Sequence, residues 1–315
     1  MTEPTLGFVA CADPDGGHRM AYWQWGKANA SHVVLCVHGL ARQGRDFDEL
    51  ARALVERANG NIRVVCPDVV GRGRSDWLRN PDGYQLPTYA ADMLALLANL
   101  HAGSAITELD YVGTSMGGLV GIALAGSPKL PIPSPVRRLV LNDVGPEITQ
   151  ASVERIGAYI GKGGKFASLE AAADALLLIS AGFGVHTREQ WLELSRHMVV
   201  PAASRSEDGS TKVVSAEAEG PVVLHYDPAI GVPIRAVTSE ARAQGEAIMW
   251  HLYDAVTART LLLRGAQSDL LTPETAHAMT QRGARARLIE FEGVGHAPTL
   301  VSPAQHTRVV DFLIA

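Results

Sequence analysis

Cysteine is scarce in this chain. Cys11, Cys36 and Cys66 are odd in number and far apart, which excludes a disulfide framework, leaves no cysteine cluster at metal-ligand spacing and suits a reducing compartment. Cys36 and Cys66 stand inside apolar runs, where a thiol serves as a small core residue. Long apolar runs are missing too: nothing approaches the roughly 20 residues that span a bilayer. Positive charge is not in excess. The formal net charge is -5, and the 28 basic residues are scattered, so neither nucleic acid nor a membrane is an expected partner. No His-Glu-x-x-His spacing occurs, so no zincin-type metal site is expected. The N-terminus, MTEPTLGFVACADPDGGH, has neither a basic nor an apolar leader segment, so a cytoplasmic location is the expectation. Internal repeats and low-complexity segments are lacking as well.

What the chain does have is a strand–helix rhythm. Candidate strands are His18–Gly26, His32–Val37, Ile62–Pro67, Leu109–Val112, Arg137–Asn142, Thr260–Arg264 and Arg287–Phe291. Several are apolar at consecutive positions, as expected for strands of a mostly parallel sheet buried on both faces. Helical stretches lie between them at Arg45–Asn59, Thr88–Ala102, Met116–Gly126 and Pro273–Arg282. The rhythm breaks from Gly145 to Thr257. That region reads as helices at Ala151–Ile160, Ser168–Ala181, Thr187–Val199 and Ser239–Ala255, plus a polar hairpin-like stretch at Arg205–Val213. Residues 1–144 and 258–315 are therefore expected to form one α/β domain. Residues 145–257 are expected to be a helical lid over the carboxyl edge of its sheet, where open α/β sheets bind ligands.

The run Gly113-Thr114-Ser115-Met116-Gly117 matches G-x-S-x-G between a strand-like and a helix-like segment. That setting presents a serine on a sharp turn above a helix N-terminus, whose amides face any oxyanion that forms. Ser115 is the candidate nucleophile. A serine hydroxyl needs a base, and the chain order for this elbow is serine, acid, histidine. His296, in the glycine-flanked loop Glu292-Gly-Val-Gly-His-Ala-Pro298, is the candidate base. Asp269, after the strand ending near Arg264, is the expected acid; Asp143, in Leu141-Asn-Asp-Val-Gly-Pro146, competes with it. The backbone amides of Leu40 and Met116 are the expected oxyanion donors, and His38 is expected to support its loop. Gly161-Lys-Gly-Gly-Lys165 is glycine-rich and basic but lacks P-loop spacing, so nucleotide binding is not expected. Arg72, Arg155 and Arg188 are the arginines available to anchor a substrate carboxylate. None of the bulky groups Trp191, His197, His225, Tyr226, Trp250 and Tyr253 is assigned to the site.

His38-Gly39, Pro67-Asp-Val-Val-Gly-Arg-Gly-Arg-Ser-Asp76, Gly113-Thr-Ser-Met-Gly-Gly118, Gly265-Ala-Gln-Ser-Asp269 and Gly295-His296 follow one another as in α/β-hydrolase fold proteins, which the chain resembles over residues 18–143 and 258–315. The resemblance implies a largely parallel eight-stranded sheet, a lid after the sixth strand and a Ser-His-Asp triad without a cofactor. Serine at the elbow argues against haloalkane dehalogenases and epoxide hydrolases, which resemble this layout but carry aspartate there. The leading expectation is a carboxylic-ester hydrolase for a small or medium, largely apolar, ester-like substrate. A carbon–carbon bond hydrolase, a lactonase and a non-catalytic ligand-binding member of the fold are the alternatives, since fold does not choose among them.

Overall fold

The computed structural model describes residues 3–204 and 220–315; the hairpin expected at Arg205–Val213 lies outside them. In the segment His32–Val37, Val33, Leu35 and Val37 enter one core cluster while Val34 and Cys36 enter another. Alternate side chains of a strand point to opposite faces, so this strand has a core on each side. A fully buried aliphatic side chain such as Leu35 contributes roughly 1.5–3 kcal/mol relative to exposure.

Along the first half of the chain come β1 (Thr5–Cys11), β2 (His18–Gly26), β3 (His32–Val37), α1 (Asp48–Arg57), β4 (Arg63–Pro67), α2 (Leu86–Gly103), β5 (Glu108–Thr114), α3 (Met116–Ala125) and β6 (Val136–Asn142). Next come α4 (Gln150–Tyr159), β7 (Lys165–Phe166), α5 (Leu169–Ile179), α6 (Arg188–Arg196), β8 (Val199–Pro201), β9 (Val222–Leu224), α7 (Gly231–Ala236) and α8 (Ser239–Ala255). The chain closes with β10 (Arg259–Gly265), α9 (Pro273–Gln281), β11 (Arg287–Phe291) and α10 (Pro303–Leu313). Eight strands form one sheet in the order β1-β2-β4-β3-β5-β6-β10-β11. The pairings β1–β2 and β2–β4 are antiparallel and the rest parallel. Helices α1 and α10 supply one core cluster, and α2, α3, α8 and α9 supply the other.

The segment between β6 and β10 is mostly helical, with β7, β9 and β8 making a small antiparallel sheet. Helices α4, α5, α6 and α8 start on side-chain caps: Thr149, Ser168, Thr187 and Thr238 each accept a hydrogen bond from the backbone amide three residues on. Its own small core gathers Ala173, Leu176, Trp191, Leu194 and Met198. The segment is also tied back to the sheet: Asp227 N donates to Gly71 O at 2.7 Å, and Tyr84 Oη donates to Asp227 Oδ2 at 2.6 Å. No helix among the described residues is long and apolar enough to cross a membrane.

The short β7, β8, β9 and α7 escape the sequence reading, and so do two elements of the sheet domain. β1 is an edge strand with only Val9 and Cys11 buried, so little apolar periodicity marks it. α10 opens on Pro303-Ala-Gln-His-Thr-Arg308 and buries Val309, Val310 and Leu313 only near its end, a stripe too short to register as helical periodicity.

Candidate active site

Tight backbone contacts make the turn between β5 and α3. A Cβ at Gly117 would overlap the Val37 carbonyl, and one at Gly113 would overlap the Gly117 carbonyl. Only glycine lets the strand turn so sharply into the helix. Ser115 takes up the strain, with φ 52° and ψ -119°, a conformation a non-glycine residue adopts at a cost of order 1–3 kcal/mol. Its amide donates to Asn142 O on the neighbouring strand at 3.0 Å. The hydroxyl is thereby lifted above the carboxyl edge of the sheet.

Ser115 Oγ lies 2.9 Å from His296 Nε2, and His296 Nδ1 lies 2.7 Å from Asp143 Oδ2. A carboxylate only accepts, so Nδ1 carries the ring hydrogen and Nε2 is left to accept from the serine. Asp143 is wholly buried. Its Oδ1 accepts from the Gly265 amide at 2.8 Å and its Oδ2 from Ser268 Oγ at 2.6 Å. Asn142 holds the other flank, donating from Nδ2 to Pro298 O at 2.8 Å, just past the histidine.

The expected acid, Asp269, is not in this chain of bonds. Its carboxylate is 53% exposed and takes a two-point grip from Arg155, whose Nε and Nη2 donate at 2.8 and 2.9 Å. The reason is local backbone direction: Asp143, at φ 57°, turns its carboxylate toward His296, while the Asp269 carboxylate turns outward to Arg155. The loop after β10 then contributes Gly265 and Ser268 to Asp143 instead of a carboxylate of its own. Both aspartates follow a strand, and nothing in local sequence distinguishes the side chain that turns inward. Ser268, directly before Asp269, was missed for the same reason.

Leu40 lies in the loop after β3, where it lines the same cavity as Ser115, and Met116 is the first residue of α3, directly after the serine. Among the described residues neither amide has an intramolecular acceptor, as oxyanion donors require. Arg72 links the two residues. It is fully buried, its Nε donates to Leu40 O at 2.8 Å, and its Nη2 lies 3.6 Å from Met116 Sδ. Its remaining donors go to Val70 O and Tyr89 Oη, and its plane faces the Tyr84 and Tyr89 rings. It is therefore not available to substrate. His38, also buried, accepts from the Val69 amide at Nε2 (2.9 Å) and donates from Nδ1 to Gly39 O (2.7 Å). Burial pushes its pKa down to about 3, so at neutral pH it is an uncharged brace for the Leu40 loop.

Ser115 and His296 open into a cavity of about 310 Å³, at the small end of ligand pockets. Ile156, Ile160, Phe166, Leu176, Phe183 and Leu224 give it an apolar wall. Of the bulky groups left unassigned by sequence, Tyr226 lines it; Trp191 and Tyr253 are buried elsewhere. Of the three arginines considered as anchors, Arg155 lines the cavity and Arg188 pairs with Asp174 away from it. Gly182, in the helical segment, accepts from the Gly295 amide at 2.6 Å, so that segment touches the histidine loop directly. The arrangement offers a hydrogen-bonded serine, a base oriented by a buried carboxylate, two free amides and a dry wall. Together these suit attack on a carbonyl.

Known proteins agree with this architecture. Residues 34–312 match the alpha/beta hydrolase family. A 3-hydroxybutyrate-oligomer hydrolase from Cupriavidus necator is 48% identical over 310 residues, covering 98% of each chain. An sn-1-specific diacylglycerol lipase from Danio rerio is 30% identical over 135 residues, 43% of this chain and 38% of its own. Among solved structures, an alpha/beta hydrolase from Novosphingobium aromaticivorans superposes with a TM-score of 0.78 at 32% identity, covering 99% of both chains. The chain is a hydrolase and belongs to the alpha/beta hydrolase family.

Proposed function

We propose that the protein is a serine carboxylic-ester hydrolase whose substrates are short linear oligoesters of 3-hydroxybutyrate or a closely similar hydroxy acid. The observation that carries the reading is the unbroken chain Ser115–His296–Asp143 opening into an apolar cavity. The Cupriavidus necator oligomer hydrolase, similar across nearly the whole chain, supports the substrate class.

In this reading Ser115 Oγ attacks the ester carbonyl while His296 Nε2 takes the hydroxyl proton. Asp143 stabilises the imidazolium that results, and the Leu40 and Met116 amides receive the oxyanion. The tetrahedral adduct collapses, the carbon–oxygen bond to the alcohol breaks, and His296 returns the proton to that alcohol. Water, deprotonated by His296, attacks the acyl-serine, and the carboxylic acid leaves with Ser115 restored. Residues 145–257 act as the lid that keeps bulk water from the acyl group.

The test is hydrolysis of a 3-hydroxybutyrate trimer followed by chromatography. The wild-type protein is expected to release monomer and dimer, and Ser115→Ala to lose on the order of 10⁴–10⁶-fold in rate. Full turnover by the alanine variant would overturn the mechanism. Turnover of simple aryl esters without any of the trimer would overturn the substrate class.

A further inference from the structure

The glycine-rich turn that failed as a phosphate loop lies at the cavity. Gly161-Lys-Gly-Gly-Lys165 follows α4 and leads into β7, and both Lys162 and Gly163 line the cavity that holds Ser115 and His296. Gly161, at φ 75°, turns the chain there, and a Cβ at that position would overlap the Pro228 carbonyl.

The charge on this lining is one-sided. Among the described residues it contains Arg42, Arg155 and Lys162 but no aspartate or glutamate. Two of these cations are already neutralised from outside the lining. Arg42 is gripped by Asp46 at 2.6 and 2.8 Å, and Arg155 by Asp269. Lys162 is exposed, and among the described residues its ammonium has no hydrogen-bond or ion-pair partner. The cavity thus combines an apolar wall with one uncommitted positive charge. On a protein of net charge -5, a local cation is what an anionic substrate needs to approach.

We infer that Lys162 binds the free terminal carboxylate of the oligoester while the apolar wall takes its methyl-bearing repeat units. The inference rests on the proposed oligoester reading and sharpens it: the preferred substrate is an acid-ended chain, not a neutral ester. A carboxylate held at the cavity also sets the register, so a longer oligomer is cut at a fixed number of units from its acid end. The Arg155–Asp269 pair keeps the Asp269 carboxylate occupied beside this anion.

The test compares two trimers of 3-hydroxybutyrate, one with a free carboxylate and one capped as its methyl ester. The readout is the ratio of their kcat/KM values. Wild type is expected to favour the acid, and Lys162→Ala to lower that ratio about three- to tenfold. That range befits an exposed lysine pairing with a carboxylate beside an apolar wall. Lys162→Glu lowers the ratio further and Lys162→Arg restores it. Raising ionic strength lowers the wild-type ratio and leaves the alanine ratio level. If Lys162→Ala and Lys162→Glu keep the wild-type ratio, the carboxylate site is wrong while the esterase reading stands. If wild type turns over neither trimer but cleaves simple esters through Ser115, the oligoester reading fails and this inference with it.

Discussion

Asp143 and Asp269 have the same chemistry and opposite surroundings. Asp143 is sealed between β6 and β10, accepting from the Gly265 amide, Ser268 and His296; Asp269 faces solvent and holds Arg155. Exchange of either carboxylate for an amide of the same shape separates the two. Asp143→Asn is expected to cost about 10⁴-fold in kcat, because an amide NH₂ facing Nδ1 selects the wrong ring tautomer. Asp269→Asn is expected to stay within about threefold, because an exposed ion pair is worth little. Steady-state kinetics of both variants, with melting curves to verify folding, decides the point, and a reversed pattern would restore Asp269. Ser115 and His296 were legible in sequence because flanking glycines and chain order mark them. The carboxylate that meets His296 was not, because Asp143 and Asp269 both follow a strand and only the folded backbone decides which side chain turns inward.

The elbow is where one element sets the geometry of another. α3 starts directly after Ser115 and its second residue packs against the carbonyl of Val37 at the end of β3. The spacing of glycines in G-x-S-x-G is therefore the footprint of two backbone approaches, which is why it could be read without coordinates. Gly117→Ala forces α3 away from β3 and carries the Met116 amide with it. The expected result is a fall in kcat of about 10²–10³-fold, the magnitude associated with loss of one oxyanion donor, together with a lower melting temperature. An alanine variant of wild-type activity would show that this approach is not needed. Central strands and amphipathic helices of the sheet domain were legible for a related reason: burial on both faces or along one stripe writes itself into the residue order. β1 buries little and α10 packs its apolar residues only near its end, so neither left such a pattern.

At the scale of the whole molecule, folding leaves a buried basic group unprotonated. Burial pushes the His38 pKa to about 3, whereas an unfolded histidine titrates near 6.5. Between those values the unfolded chain binds the extra proton, so His38 makes stability rise with pH and fall on acidification. Asp68, raised by burial to about 6, works in the opposite sense over its own range. The contribution of His38 is isolated by comparison with His38→Gln, which keeps a hydrogen-bonding side chain and removes the titration. Between pH 7 and pH 5 the stability of wild type should drop relative to the variant by about 2 kcal/mol, or 1.4 kcal/mol for each pH unit below 6.5. Urea unfolding at the two pH values measures this, and a constant gap would contradict it. The helices between β6 and β10 were legible as helices, but their chemistry was not, since cavity walls are made by residues that only meet in three dimensions. That segment leaves the sheet domain directly after Asp143, and within it Gly182 is bonded to the residue preceding His296. The loops that carry Asp143 and His296 are thus both joined to that one segment. A substitution that shifts this segment at Gly182 is therefore expected to shift the histidine loop with it.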